Sequence, residues 1–420
     1  MNQPVKDRAN LLPIREGTRR VAVVTHGLHR SGGVESVVSW LCEGLAASGR
    51  YAVDIHDLAM SYRDSSSRRI LAPRSWLQPS VLTRKGERPD EWYWGANAVE
   101  LEFMRYRPRR ELTKALAGYD LIQVVCGSPA WAAPILNAGP PVVIQMATLV
   151  EWERDSYPKA GASAVAAWRA MMTRITARIE RSALSAADAV LVENKVILDW
   201  MRTAGHSNVV LAPPGVDTTI FSPPSDGWRA DGHLLSVCRL ADPRKGLDRM
   251  VRAYGKLVCD RPDAPPLVLA GKGRLDPSIS ALIADLGLNR RIVVRADVPV
   301  NELVELYRSA SVFLQTSYEE GLGLSVIEAM ACGVPSVVTA TYGARESVAD
   351  GRTGWLVPLE PAADVSRSVA ARVHEILDGA GASMATAARR RCEEHFSRHV
   401  TLRRFIDTYD RLLAHGAETR

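Results

Sequence analysis

Residues Ser311–Met330 read SVFLQTSYEEGLGLSVIEAM. The run from Ser311 to Thr316 is short, apolar and partly β-branched, the signature of a buried strand. Gly321 and Gly323 interrupt it, and an apolar helix is predicted from about Leu324 to Ala331. Strand, glycine turn and helix in this order are half of a parallel βαβ unit. The glycines let a ligand approach the backbone without meeting a Cβ. The first amides of the helix face the same point and have no intrahelical acceptor, which suits a phosphate. Glu320 lies on the loop and Glu328 about one turn into the helix. A ligand with hydroxyls at both ends and a diphosphate between them fits this spacing, and a nucleotide sugar is such a ligand. The alternative is a tight connection carrying two surface acids.

The same alternation of strand and helix extends in both directions. Val21–Thr25 is a buried strand, followed by the turn and helix SGGVESVVSWLCEGLAASG, the strand Tyr51–His56, and then DLIQVV, PPVVIQM and AVLVEN. Residues 212–232, APPGVDTTIFSPPSDGWRADG, have the Pro, Gly and Asp content of a linker. The pattern restarts with HLLSVCRL and continues through PLVLAG, RIVVRA, SVFLQT, VPSVVTA and GWLVP to a basic amphipathic helix. The expected fold is α/β, with two Rossmann-like doubly wound domains facing each other across a cleft. The expected boundaries are a disordered lead-in (1–18), a first domain (19–215), a linker (216–232), a second domain (233–395) and a terminal helix crossing back to the first domain (396–420). Ligands are expected at the carboxyl ends of the strands.

A chain of 420 residues is long for one core. No run approaches the roughly 20 apolar residues that span a bilayer, and the N-terminus has no apolar leader core. Six cysteines without metal-ligand spacing favour a reducing cytoplasm over disulfides or zinc. No metal site and no nucleic-acid partner is expected. The net charge of +6 lies wholly in residues 1–215, which hold 27 basic against 21 acidic residues. Residues 63–114 alone hold twelve basic and seven acidic residues, interleaved with Trp76, Trp92, Tyr93, Trp94, Phe103 and Tyr106. Such a segment is either a solvated insertion with an apolar underside or a surface for an anionic acceptor or the inner face of a membrane.

Arg239 ends the strand HLLSVCRL, and Lys245 follows six residues later. Two cations at a strand's carboxyl end suit a diphosphate leaving group, on which charge builds as a glycosidic bond breaks. Gly32 and Gly33 repeat the strand–glycine–helix pattern in the first half. Together with LVLAGKG, GRTGWLV and the spacing from Glu320 to Glu328, these stretches resemble the retaining glycosyltransferases of the GT-B fold, specifically family GT4. The resemblance runs from the Gly-Gly loop to the last helix. It implies that Arg239 and Lys245 hold the donor diphosphate and that Glu328 binds the ribose. Glu320 and the backbone of Gly321, Leu322 and Gly323 would meet the donor sugar, and the amides of Leu324 and Ser325 the phosphates. Gly32 and Gly33 would line the diphosphate and acceptor side. No cofactor or metal is implied. The donor would be a UDP or GDP sugar and the acceptor a glycan, a lipid-linked sugar or a small molecule, in glycan or natural-product biosynthesis.

The chain departs from the family where a first-domain histidine is frequent: Val125 stands in its place, with Gln123, Cys126, Gln145 and Thr148 nearby. A donor lacking or modified at its C6 hydroxyl is one expectation. His26 and His29 read as polar loop residues, and Glu151-Trp152-Glu153 as a solvated helix start. A dehydrogenase is excluded, because GKGRLD and GLGLSV place Asp276 and Val326 where a third glycine is required. A non-catalytic nucleotide-sugar-binding subunit and a nucleotide-sugar 2-epimerase are the alternatives.

Overall fold

The computed structural model describes residues 17–28, 32–61, 64, 66–77, 83–85, 90–156, 164–360 and 362–418. Most of the expected lead-in, residues 1–16, lies outside them, as does His29. The first half contributes β1 (Arg19–His26), β2 (Tyr51–Leu58), β3 (Thr83–Lys85), β4 (Glu91–Trp94), β5 (Leu121–Cys126), β6 (Val142–Met146), β7 (Ala189–Val192) and β8 (Val209–Leu211). They form one sheet in the order 3-4-2-1-5-6-7-8, parallel except for β3. The second half contributes β9 (His233–Arg239), β10 (Leu267–Lys272), β11 (Ile292–Ala296), β12 (Ala310–Gln315), β13 (Ser336–Thr339) and β14 (Gly354–Val357). Its order is 11-10-9-12-13-14, all parallel.

Both sheets are covered on both faces, which is why their strands read as near-continuous apolar runs. In β1, Ala22 and Val24 enter one cluster while Val21 and Val23 enter the other. The doubly wound α/β fold expected from the sequence is the observed one. The basic, aromatic segment is not a simple insertion, because β4 pairs with β2 and Trp94 and Tyr106 belong to the core.

The chain crosses between the halves at two adjacent points. The Val216 amide donates to Phe396 O, and the Arg398 amide donates to Val216 O. Gly215 permits this crossing, since a Cβ there would lie 2.2 Å from Thr401 Oγ1 and 2.5 Å from Phe396 O. The last helix, Arg398–Glu418, then lies on the first half, where Leu402, Phe405 and Tyr409 are buried. Phe405 packs edge-on to Trp40 at 5.3 Å, and the Tyr409 hydroxyl donates to Gln123 Oε1 at 2.7 Å. Each buried side chain contributes about 1.5–3 kcal/mol to holding that helix down. In both sheets the strand order reverses beside the first strand, between β1 and β5 and between β9 and β12. The crevice outside such a reversal is where this architecture binds ligands.

A candidate active site between the two sheets

The end of β9 is organised by Asp242, which the sequence reading passed over. As the cap of the short helical turn Pro243–Lys245, it accepts from the Arg244 amide. Its carboxylate also binds Arg239 at 2.5 Å and Arg244 at 3.0 Å. Burial raises its pKa, but the hydrogen bonds and charges of Arg244 and the charge of Arg239 outweigh that and hold it below the usual carboxylate range. An Asp-Pro step between two cations was the available signal, because Asp is a preferred cap and Pro a preferred first helical residue. Gly246 closes the turn at φ 61°, where a Cβ would lie 2.2 Å from Thr316 O. That contact locks the cationic turn onto the end of β12.

Arg239 and Lys245 diverge from this turn. Arg239 keeps 43% of its side chain exposed and faces the first half, where a Cβ on Gly32 would sit 3.9 Å from its Cδ. Gly32 itself has φ 156° and ψ −175°, a region open essentially to glycine alone. Gly33 begins the helix Gly33–Ala47 with open space where a Cβ would be. Lys245 Nζ lies 2.6 Å from Glu320 Oε1, which also accepts from Ser317 Oγ at 2.8 Å. In this arrangement Glu320 is therefore occupied by a cation rather than free.

Gly323, at φ 81°, caps the helix Leu324–Ala331, whose bounds match the sequence expectation. Gln315 reaches from β12 to donate to Ser325 Oγ at 3.3 Å. Leu322 is 2% exposed and turned into the core of the second half, so only its backbone borders the loop. Tyr307 is fully buried and donates its hydroxyl to Glu328 Oε2 at 2.7 Å. Burial pushes the Glu328 carboxyl up to about 7.

The first half closes directly onto the glycine loop. Asn194 caps the helix Lys195–Thr203 and donates its Nδ2 to Gly321 O at 2.8 Å. A Cβ on Gly321 would stand 2.6 Å from Ala147 O and 2.8 Å from Glu193 Oε2, so only glycine fits. Thr148 bonds Glu319, whose pKa is raised by burial and then by Glu320. Arg244, 8% exposed, bridges the crevice to Glu153 at 2.8 Å and lies 3.6 Å from Glu319. Glu153 is thus a cleft residue rather than part of a solvated helix start.

Glu193, beyond the end of β7, is 6% exposed and accepts from Gln145 Nε2 at 3.4 Å. Burial, reinforced by Glu319 and Glu320, pushes its carboxyl up to about 8. The acid of AVLVEN was the available signal, an ionisable residue directly after a fully buried strand.

The neighbours of the missing histidine divide in two. Val125 joins the core and Gln123 bonds the last helix, while Gln145 and Thr148 turn toward the crevice. His26 is the last residue of β1, not a loop residue. Its ring stacks on Trp131 at 4.4 Å, and its Nε2 accepts from the Gly127 amide at 3.4 Å. Burial lowers its pKa to about 4, so it is neutral near pH 7. Among the described residues no group of three or more His, Cys, Asp or Glu is placed to hold a metal, and no helix is long and apolar enough to cross a membrane.

Two family models match in tandem: Glycosyltransferase Family 4 over residues 31–220 and Glycosyl transferases group 1 over residues 228–390. The chain is 31% identical over 252 residues to a D-inositol 3-phosphate glycosyltransferase of Mycobacteroides abscessus, covering 56% of this chain and 54% of that protein. It is 35% identical over 161 residues to a GDP-mannose-dependent alpha-(1-6)-phosphatidylinositol monomannoside mannosyltransferase of Mycolicibacterium smegmatis, covering 34% of this chain and 42% of that protein. The chain thus spans about half the length of the curated relatives it matches. In fold it is similar to sucrose-phosphate synthase from Thermosynechococcus elongatus, with TM-score 0.67, 22% identity and coverage of 94% of this chain and 99% of that one. It is also similar to Anabaena HepE in complex with UDP and glucose, with TM-score 0.65, 14% identity and coverage of 93% and 99%. With the doubly wound halves and the facing strand ends in place, the chain belongs to glycosyltransferase family 4 and has the GT-B fold.

Proposed function

We propose that this chain transfers a sugar from a nucleotide-diphosphate sugar to an acceptor hydroxyl, with retention at the anomeric carbon and without a metal. The reading rests on one observation: Lys245 and Arg239 stand at the end of β9, between the helix N-terminus at Leu324 and the Gly32 turn. Lys245 now neutralises Glu320. A diphosphate arriving at the helix N-terminus would compete for that ammonium and release Glu320 to hydrogen-bond sugar hydroxyls. Arg239, more exposed, would meet the same phosphates from the mouth of the crevice. Glu328, on the second turn of its helix, would take the ribose.

The chemical step then needs little from the protein beyond position and charge. The bond from the anomeric carbon to the β-phosphate oxygen breaks. The acceptor oxygen bonds that carbon on the same face, and its proton passes to the departing phosphate oxygen. Negative charge accumulates on the diphosphate, where the two cations and the helix amides stabilise it without Mg²⁺.

The donor panel should hold both UDP and GDP sugars, since one relative is named for GDP-mannose and one structural neighbour holds UDP. It should also hold 6-deoxy and pentose donors, because Val125 supplies no polar group for a C6 hydroxyl. Turnover measured with and without acceptor, with excess chelator present, tests the reading. Product formation that keeps the donor's anomeric configuration is expected. Nucleotide binding without transfer or slow donor hydrolysis would instead mark a non-catalytic binding subunit, and a C2-inverted nucleotide sugar formed without acceptor would mark an epimerase.

A further inference from the structure

Glu193 and Gln145 form the first-half wall opposite the glycine loop, and that wall has a hydrogen-bond acceptor to spare. Gln145 lies in β6 and is 1% exposed. Its Nε2 donates to Glu193 Oε1, while its own Oε1 is buried with no partner among the described residues. A buried oxygen left unmet is costly, so its presence calls for a donor that arrives from outside. Glu193 Oε2 and Ala147 O abut Gly321, 2.8 and 2.6 Å from the position a Cβ would take there. The backbone of Gly321 is the part of the loop expected to meet the donor sugar, so a sugar seated on the loop comes against this wall.

Positive charge is also short here. Arg244 is shared by Glu153, Asp242 and Glu319 at 2.8, 3.0 and 3.6 Å, Lys245 is taken by Glu320, and Arg239 by Asp242. The charges that act on Glu193 are those of two further carboxyls, Glu319 and Glu320. Arg239 and Lys245 are, moreover, the cations that a diphosphate would draw away. Burial answers the shortage with protons, pushing the Glu193 carboxyl up to about 8 and raising that of Glu319. Among the described residues no three of these acids are placed to hold a metal ion. The cation that suits the wall is therefore one carried by the ligand itself.

We propose that Glu193 and Gln145 select a sugar bearing a protonated amine, carried by either the donor or the acceptor. An ammonium brings three N–H donors and a full charge. One donor meets Gln145 Oε1 and a second meets Glu193, whose ionised form the charge then favours. A hydroxyl in the same place brings a single donor and no charge, and an acetylated amine brings a single N–H and added bulk. The inference rests on the transferase reading, whose sugar site it deepens.

Calorimetric titration of the full chain tests this at slightly acid pH, where a sugar amine is protonated. UDP and GDP are titrated first, and the one that binds is carried forward. In the donor arm it is linked to glucose, to glucosamine, to the 6-amino isomer of glucosamine, or to N-acetylglucosamine. In the acceptor arm the same four sugars are titrated free, with the nucleoside diphosphate already bound. In one arm an amino sugar should bind about tenfold or more tighter than both glucose and N-acetylglucosamine, and that arm names the carrier. Glu193→Gln and, separately, Gln145→Met should each lower the preference about tenfold. Glu193→Gln should melt no lower than the parent, so a lost preference is not lost folding. Equal affinity for amino and hydroxyl forms in both arms overturns the proposal, as does a preference that survives both variants. Failure to bind either nucleotide removes the transferase reading and this inference with it, whereas nucleotide binding without an amine preference removes this inference alone.

Discussion

Replacing Glu193 with glutamine should stabilise the protein near neutral pH and flatten its pH dependence. The carboxyl is buried against the Gly321 loop and pushed from 4.5 up to about 8. Between those values the folded chain holds a proton on Glu193 that the unfolded chain has released. Stability therefore falls as pH rises through this window, by about 1.4 kcal/mol for each pH unit. The contribution is fully present below pH 4.5, costs about 3 kcal/mol by pH 7 and levels off above about pH 8. Glu193→Gln keeps the shape and removes the titration. Its introduced N–H can also donate to Gln145 Oε1, a buried oxygen with no partner among the described residues. Glu180 and Glu328, both raised to about 7 chiefly by burial, titrate in either protein and cancel in the comparison. Unfolding followed from pH 5 to pH 8.5 should show curves that nearly meet at the acid end and diverge upward in pH, with the variant more stable. Parallel curves, or a variant less stable at pH 8 than at pH 5 relative to the parent, would show that Glu193 is not held neutral in the folded chain.

Three further substitutions probe the crevice. Glu328→Ala should weaken UDP or GDP binding by at least about tenfold and cost about 1–3 kcal/mol of stability, since the buried Tyr307 hydroxyl loses its acceptor; titration calorimetry beside thermal melts checks both, and unchanged nucleotide affinity removes the ribose assignment. Lys245→Ala should lower turnover by about a hundredfold or more with a smaller change in donor affinity; kinetics equal to the parent's would refute its role on the leaving group. Gly321→Ala should hold the halves apart, because its Cβ must displace Ala147 O and Glu193 Oε2. A larger radius of gyration by small-angle scattering and a lower kcat are expected, and a variant as compact and as active as the parent would show that the close approach is dispensable.

What the sequence made visible and what it hid divide along a physical line. Gly323 and the helix behind it could be read directly, because a positive-φ turn, an apolar repeat and the amides of a helix start are local properties. Arg239 and Lys245 could be placed at a strand end for the same reason. The partners of those residues could not. Glu153 meets Arg244 across 91 residues of chain, and Asn194 meets Gly321 across 127. Nothing near Glu153 in sequence distinguishes it from the solvated Glu151 two positions earlier; only the approach of the second sheet does. The same holds for Glu193, whose raised pKa comes from the loop laid over it rather than from its neighbours in β7. Trp94 and Tyr106 show the converse: composition left open whether they formed an exposed surface or the apolar underside of an insertion, and they belong to the core, with β4 paired to β2. Local pattern thus identifies the groups that would handle a ligand, and the contact between the halves sets the charge state of the carboxyls pressed between them, Glu193 and Glu319. A change that only separates the halves should therefore alter the titration of Glu193 and Glu319 while leaving that of Glu328, half-buried against Tyr307 of its own half, where it was.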